Sequence, residues 1–286
     1  MDVLHGKLAH FNQHAPPMNL FASEVLLFLK SLIEKSENNA SRDQVALEVP
    51  PLLKHDLKTI TAIVRSTLDT PLPIMEAAKQ ASVDALKIWT DARGHLIASP
   101  SLGIFIPSIL GEPPFVASLA FPRHFLQAED VHGHKSFCKT TTLECLGLLG
   151  ALCADPMRFA GKEAVFHIDN LASVFLFKKG HCRDEWATTV VRAARVVAAG
   201  IGCTLFVEWE RRCSSRESII ADNLTHNLLE GLNDRELESY LSYGTVSFGE
   251  PILQWMARPK KDPGLGRTIL IWLREQYVGL NMLRSK

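Results

Sequence analysis

The sequence predicts an α/β protein with a central sheet and helices on its faces. One observation is the order of segments: three strand-like stretches come first, followed by helix, strand, helices, strand and helix. Another is that four acidic residues lie at strand ends or within helices of this series. Finally, 47% of the 286 residues are hydrophobic, which is enough for a substantial core.

Composition and charge narrow the class of protein. The chain has 31 basic and 31 acidic residues, so any nucleic-acid surface must be a local patch. Its six cysteines form no Cys-x-x-Cys pair, which predicts reduced thiols in an intracellular protein, either nuclear or cytoplasmic. Long apolar runs and a signal-peptide pattern are lacking, so we expect a soluble protein without a membrane partner.

Residues 1–80 predict a helical module that precedes the sheet. Apolar residues recur at helical spacing over 20–35, and Pro50 and Pro51 open a second amphipathic segment. Pro71 and Pro73 then interrupt the chain. We therefore place a domain boundary near residue 80, with the sheet domain over residues 81–230.

The elements of the sheet domain follow from hydrophobic periodicity and turn residues. The helix over Thr140–Ala154 has threonines that can cap it and leucines at 143, 146, 149 and 152 for one inner face. The predicted strands are Val83–Asp91, Ile97–Ile106 with an interruption at Pro100, Phe115–Phe121, Glu163–Ile168 and Gly202–Trp209. The other predicted helices are Asn170–Lys178, Arg183–Ala199 and Glu217–Leu229.

Residues 231–286 predict a helical C-terminal extension. Helical patterns occur over Asp234–Tyr243 and Thr268–Leu283, and prolines at 251, 259 and 263 divide the segment. We expect this tail to act as a cap or as an interaction surface.

Four acids stand out as candidate metal ligands. Asp91 and Asp169 end strands, whereas Glu144 and Asp222 lie in helices. Gathering four carboxylates without cations is costly, because like charges at close range raise pKa values. Mg²⁺ prefers such oxygen ligands, and two ions could activate a water and stabilise the leaving oxygen in phosphodiester hydrolysis. Taken singly, however, each acid is more readily explained as a turn or helix-dipole residue.

Short motifs surround these acids in a fixed order: Thr90-Asp91-Ala92, the helix with Glu144, Ile168-Asp169-Asn170, Lys179-Gly180, and Ile220-Ala221-Asp222-Asn223-Leu224. In this order, residues 83–228 resemble the ribonuclease H domain of retrotransposon reverse transcriptases, most closely the tyrosine-recombinase-type (DIRS-like) elements. Leu4-His5-Gly6-Lys7-Leu8 and the two helices after it resemble the segment that connects polymerase to nuclease there. The ordered set is more specific than any single motif.

The resemblance implies a ribonuclease-H-like, mixed five-stranded sheet flanked by helices. It also implies that Asp91, Glu144, Asp169 and Asp222 are catalytic and bind two Mg²⁺ ions, for which Mn²⁺ can substitute. Asp91 and Asp169 would flank both ions, and Asp222 would complete the shell of the second. His226 lies one helical turn after Asp222, so it is a candidate for proton transfer. The alternative is a solvated surface histidine.

Candidate nucleic-acid contacts are polar and basic residues close to these acids in the sequence. Their side chains could hold phosphates, and an RNA–DNA hybrid would be recognised by its shape and its 2′-hydroxyls. The candidates are Arg93, Asn170, Lys178, Lys179, Arg183, Arg211, Arg212 and Arg216. Acidic residues interleave with several of them, which also fits a solvated surface.

The expected function is a metal-dependent endonuclease that cuts the RNA strand of an RNA–DNA hybrid. A Tyr-x-Asp-Asp polymerase motif is lacking, so the chain is expected to be part of a larger reverse transcriptase or a remnant of one. A polymerase domain or host protein could bind through residues 1–80 or 231–286. Arg93, Leu96 and Ala98 replace small residues of the family. These departures leave open a non-catalytic binding module, and a related nuclease acting on DNA is a further alternative.

Overall fold

The structure is a computed structural model that describes residues 81–94, 101–109, 111–126, 140–180, 182–243, 248–277 and 279–282. The chain divides into two compact units, Met1–Lys79 with Lys179–His181, and Gln80–Lys178 with Cys182–Lys286. The elements below belong to the second unit, except that Lys179, the last residue of one helix, is assigned to the first. The predicted helical module of residues 1–80 and the interruption at Pro100 lie outside the described residues.

A mixed five-stranded sheet forms the centre of this unit, in the order β3-β2-β1-β4-β5. The pairs β1–β2 and β2–β3 are antiparallel, whereas β1–β4 and β4–β5 are parallel. The strands are β1 Leu86–Arg93, β2 Ser101–Ile106, β3 Phe115–Ala120, β4 Glu163–Ile168 and β5 Thr204–Trp209. The predicted α/β class is confirmed, with β1 as the central strand.

Helices flank the sheet. The described helices are α1 Arg123–Leu126, α2 Thr140–Ala154, α3 Pro156–Phe159, α4 Leu171–Lys179, α5 Glu185–Gly200, α6 Arg216–Thr225, α7 Asp234–Tyr243, α8 Glu250–Ala257, α9 Leu265–Gln276 and α10 Gly279–Met282. The predicted bounds of α2, α7 and β4 are confirmed. Helix α7 has strong apolar periodicity, whereas α2 and β4 are mostly apolar segments with clear boundaries.

The core lies where α2 packs between the sheet and α5. Ile88 of β1 and Phe166 of β4 are fully buried, as expected for strands that are covered on both faces. The four leucines expected on the inner face of α2 are buried, and so is every other residue from Thr142 to Cys153. The helix has no solvent face here because β1 lies on one side and α5 on another.

The C-terminal helices pack against the sheet domain. Helix α7 covers the edge strand β3, and Ser239 Oγ donates to the carbonyl of Pro114 at 2.8 Å. The same hydroxyl accepts the Val116 backbone N–H at 3.2 Å, which satisfies an edge-strand donor. Helix α9 lies on α5, where Gly266 allows close contact with Val196.

For the C-terminal segment, one prediction was wrong and one was confirmed. The helix expected over Thr268–Leu283 begins at Leu265 and ends at Gln276, because the extended backbone of Tyr277 interrupts it. The prolines divide the segment as expected: Pro251 lies in the first turn of α8, where its missing N–H costs no hydrogen bond, and Pro259 and Pro263 lie between α8 and α9. Among the described helices, none is both long and apolar enough to cross a membrane.

Candidate metal centre

Three carboxylates converge at one edge of the sheet. Asp91 lies near the end of β1, Asp169 directly follows the parallel strand β4, and Glu144 is in the second turn of α2. One ligand oxygen from each lies within 4.8 Å of the others, and this acidic cluster could hold a metal ion. The convergence follows from the fold, since the carboxyl ends of parallel neighbours meet at the same edge.

A glycine in α2 brings Glu144 close to β1. A Cβ atom at Gly147 would lie 2.7 Å from Leu102 Cδ1 and 3.3 Å from Thr90 Oγ1. Gly147 is three residues after Glu144, so both face the sheet. The absence of a side chain at Gly147 therefore allows α2 to lie close to the sheet, which brings the Glu144 carboxylate near the end of β1.

Asp222 joins the cluster from α6, which packs on β1 and β2. The side chains of Asp91 and Asp222 interact, and this interaction contributes to the raised pKa of Asp91. Close packing of α6 depends on Gly103, because a Cβ there would lie only 2.1 Å from the carbonyl oxygen of Ala221. The structure thus brings all four acids of the predicted set together.

Arg212 supplies the positive charge beside these acids. It lies in the loop between β5 and α6, and its Nη2 donates to Asp222 Oδ1. The same nitrogen is 3.9 Å from Asp91 Oδ2. These contacts raise the pKa of the Arg212 guanidinium, which therefore stays charged.

Burial and mutual repulsion set the protonation of the cluster. Burial, the hydrogen bond with Asp222 and the charges of Asp169 and Asp222 raise the pKa of Asp91 to about 7. Burial, followed by the charges of Asp91 and Asp169, raises the pKa of Glu144 well above its usual range, and burial also raises that of Asp169. Burial acts to raise the pKa of Asp222, but the hydrogen bonds with Arg212 and Asp91 outweigh it and lower the value.

Glu144 has a carboxylate oxygen without a hydrogen-bond donor. The side chain is 1% exposed, and the backbone N–H of Ala92 donates to it. Its Oε2, however, is buried and has no hydrogen-bond partner among the described residues. A buried acceptor left in this way costs about 1–3 kcal/mol, and a bound cation would remove the cost.

A second network fixes the loop that carries Arg212. Glu210 Oε2 accepts the indole N–H of Trp89 at 2.8 Å and lies 3.4 Å from His167 Nδ1. Its Oε1 accepts hydroxyl bonds from Ser214 at 3.2 Å and Ser215 at 2.5 Å. The rings of Trp89 and His167 stack with centroids 4.6 Å apart. The loop is therefore tied to both β1 and β4.

Sequence reasoning missed this network, although one signal for it was present. Trp89 precedes Asp91 by two residues, and His167 precedes Asp169 by two. Residues two apart on a strand share a face of the sheet, so this spacing could have placed both rings on the side of the acids.

Trp209 contacts the same edge. Its indole N–H donates to the backbone carbonyl of Asp169 at 2.9 Å, and the side chain is 52% exposed. The hydrogen bond holds the ring beside the acidic cluster and leaves about half of its surface available to a substrate.

The predicted helical position of His226 was wrong. Helix α6 ends at Thr225, His226 is its C-cap, and Asn227 adopts a left-handed conformation with φ 57°. Asn tolerates that conformation better than most residues, so the helix stops before the apolar pair that follows. The exposed His226 Nδ1 lies 2.6 Å from Arg93 Nη1, at the end of β1.

Only some of the candidate nucleic-acid contacts lie next to the acidic cluster. Arg211 and Arg212 line the small cleft that contains Asp91, Asp169 and Asp222. Three other candidates are exposed but do not line this cleft: Lys178 and Lys179, which end α4, and Arg183, which follows it.

Arg216 and Asn170 already have partners within the fold. The Arg216 guanidinium donates to both carboxylate oxygens of Glu236, at 3.1 and 2.5 Å, and to the carbonyl of Gly231 at 2.8 Å. Asn170 Oδ1 accepts the Ser173 backbone N–H at 3.0 Å at the start of α4. Both side chains therefore stabilise helix positions.

No protein-family model matches the chain, and neither a curated protein nor a solved structure matches it. The chemistry of the site must therefore be inferred from its own residues. Their common property is a set of carboxylate oxygens at the edge of a mixed sheet, next to an arginine-bearing loop.

Proposed function

We propose that the chain is a metal-dependent endonuclease of the ribonuclease H type, which hydrolyses the RNA strand of an RNA–DNA hybrid. The observation that carries the proposal is the convergence of Asp91, Glu144 and Asp169 from three elements, with Asp222 beside them. The strand order β3-β2-β1-β4-β5 is compatible with a ribonuclease-H-like fold. An origin in a retroelement reverse transcriptase fits the order of the sequence motifs.

The donor set suits Mg²⁺, with Mn²⁺ as a substitute, because all the ligands offered are hard carboxylate oxygens. When bound, two such ions activate a water and stabilise the leaving oxygen. Asp91, Glu144 and Asp169, whose oxygens group together, would hold one ion. Asp91 and Asp169 would also flank the second ion, whose shell Asp222 would complete. The unpartnered oxygen of Glu144 supports the first of these sites.

The surrounding residues suit a nucleic-acid backbone. Arg211 and Arg212, which line the cleft, could hold phosphates near the acids, and so could Arg93 at the end of β1. The exposed ring of Trp209 could contact a sugar or base. In the proposed hydrolysis, the water oxygen bonds to phosphorus while the bond to the leaving sugar oxygen breaks. The proton from the water finally resides on that leaving oxygen.

One observation favours a second candidate, a ribonuclease-H-like module without activity that is kept for binding. Arg212 already neutralises Asp222 and lies near Asp91, which is how an acidic cluster can persist without metal. In that case residues 1–80 or 231–286 would bind a polymerase domain or host protein.

Cleavage of a labelled RNA–DNA hybrid in Mg²⁺ and in Mn²⁺ tests the proposal. We expect the wild-type chain to cut only the RNA strand, Asp169→Asn to be inactive, and Glu208→Gln, at an exposed acid on β5, to retain activity. Double-stranded DNA and double-stranded RNA serve as controls. Cutting of DNA would indicate the DNA nuclease instead, and no cutting by folded protein would favour the binding module.

A further inference from the structure

The four acids fall into two groups according to their partners. Asp91, Glu144 and Asp169 offer oxygens within 4.8 Å of one another, and Glu144 Oε2 has no donor among the described residues. Asp222 instead accepts a hydrogen bond from the Arg212 guanidinium. The side of the cluster formed by Asp91, Glu144 and Asp169 is therefore open to a metal ion. The side at Asp222 is already occupied by the Arg212 guanidinium.

The guanidinium and a second divalent ion would compete for the same oxygens. Arg212 Nη2 bonds to Asp222 Oδ1 and lies 3.9 Å from Asp91 Oδ2. An ion bound between these two carboxylates would displace the Asp222 hydrogen bond and would be repelled by the adjacent positive charge.

Arg212 can leave this position without disturbing the fold. Its side chain is 59% exposed. On one side of it, Glu210 is held by Trp89 and His167; on the other, Ser215 Oγ accepts the Ser218 backbone N–H at 3.1 Å. The loop backbone is thus fixed on both sides, while the guanidinium at its tip is free to rotate into solvent.

A phosphate group is the natural alternative partner for the guanidinium. Arginine forms paired hydrogen bonds with phosphate oxygens as well as with carboxylates. A nucleic-acid backbone in the cleft would therefore draw Arg212 away from Asp222, and the freed carboxylates could then bind an ion.

We infer that Arg212 is an internal counterion that excludes the second divalent cation until substrate phosphate displaces it. The free protein then binds one ion, at Asp91, Glu144 and Asp169, and gains the second only when Arg212 leaves Asp222. The inference rests on the proposed function, because it assumes that these acids bind divalent ions.

Counting bound Mn²⁺ in the absence of nucleic acid tests the inference without an activity measurement. Electron paramagnetic resonance and calorimetric titration should find one ion per wild-type chain. Arg212→Gln should bind two, with the second site tightened by about tenfold or more, the order expected for removing an adjacent unit charge. Arg212→Lys retains the charge and Arg211→Gln retains Arg212, so both should bind one ion.

Other outcomes separate this inference from the proposed function. Two ions on the wild-type chain, or identical binding by wild type and Arg212→Gln, would overturn the role of Arg212 and leave hybrid cleavage as an independent question. Two ions on Arg212→Lys would overturn the charge argument. If neither the wild type nor Arg212→Gln binds any ion, the inference about Arg212 is also overturned. Circular dichroism verifies that each variant is folded.

Discussion

Gly103 lies directly opposite Asp91 in the antiparallel pairing of β1 with β2. Helix α6 rests on Gly103, where a Cβ atom would be 2.1 Å from the carbonyl oxygen of Ala221. Asp222 is the next residue of that helix. The absence of one side chain on β2 therefore determines how near the fourth acid comes to the first.

We predict that Gly103→Ala forces α6 away from the sheet. The unfolding free energy should fall by about 1–3 kcal/mol, as in other overpacked cores, and Mn²⁺ binding and hybrid cleavage should weaken. Urea denaturation and Mn²⁺ titration measure both effects. Gly264→Ala is the matched control, because its Cβ would meet only Asp262 Oδ1, at 3.3 Å. Equal behaviour of the two variants would contradict the packing argument.

The metal-free protein should lose stability as the pH rises. The pKa of Asp91 is about 7 in the fold, against 3.8 for an unperturbed aspartate. The folded state therefore binds more protons than the unfolded state across this window. The free energy of unfolding should then decrease between about pH 4 and pH 7, with Asp91 contributing at most about 1.4 kcal/mol per pH unit.

Urea denaturation in a chelating buffer across that pH range measures this dependence. Asp91→Asn should reduce the slope, and the raised pKa of Glu144 accounts for part of what remains. Glu208 is an exposed acid on β5, so Glu208→Gln should show the same dependence of unfolding free energy on pH as the wild type. An unchanged slope in Asp91→Asn would show that this carboxyl group does not titrate as described.

Divalent ions should stabilise the fold through the same acids. At a concentration a hundred times the Kd, a bound ion adds about 2.7 kcal/mol to the unfolding free energy. We expect Mg²⁺ and Mn²⁺ to raise the melting temperature of the wild type and of Glu208→Gln. Asp169→Asn should lose most of this increase, and a full increase in that variant would place the ion elsewhere.

Glu210→Ala should destabilise the loop that carries Arg212. The change removes the acceptor for Trp89, Ser214 and Ser215 and leaves a partly buried indole N–H without its partner. A loss of about 1–3 kcal/mol in unfolding free energy is expected.

Hydrogen exchange of the loop amides would localise the effect of Glu210→Ala, which should be confined largely to residues 210–215. Glu208→Gln removes a neighbouring exposed charge and should change neither measurement. Undiminished stability in Glu210→Ala would mean that the loop is held by other contacts.

The sequence was informative where one physical signal dominated locally. A mostly apolar segment between clear boundaries located α2 and β4 correctly. It misled at the end of α6, since Leu228 and Leu229 continue the apolar pattern but are 44% and 37% exposed. The left-handed turn at Asn227, which ends the helix, leaves no mark in hydrophobic periodicity.

Part of the candidate site could likewise be predicted from the sequence, and part of it could not. The positions of Asp91, Glu144 and Asp169 follow from which elements end at one edge of the sheet, and the order of segments indicates that much. The pairing of Arg212 with Asp222 depends on loop geometry and on the close packing at Gly103, and both are tertiary properties. Arg212, which the sequence suggests only as a phosphate contact, is therefore bonded to one of the acids, Asp222.

The dispersal of the four acids over β1, α2, β4 and α6 also has a kinetic consequence. Their contacts join distant parts of the chain, and such contacts form late in folding because long loops must close first. A partly synthesised or partly folded chain lacks the complete set of ligands. Ion binding at this cluster would then report completed folding of the whole sheet domain.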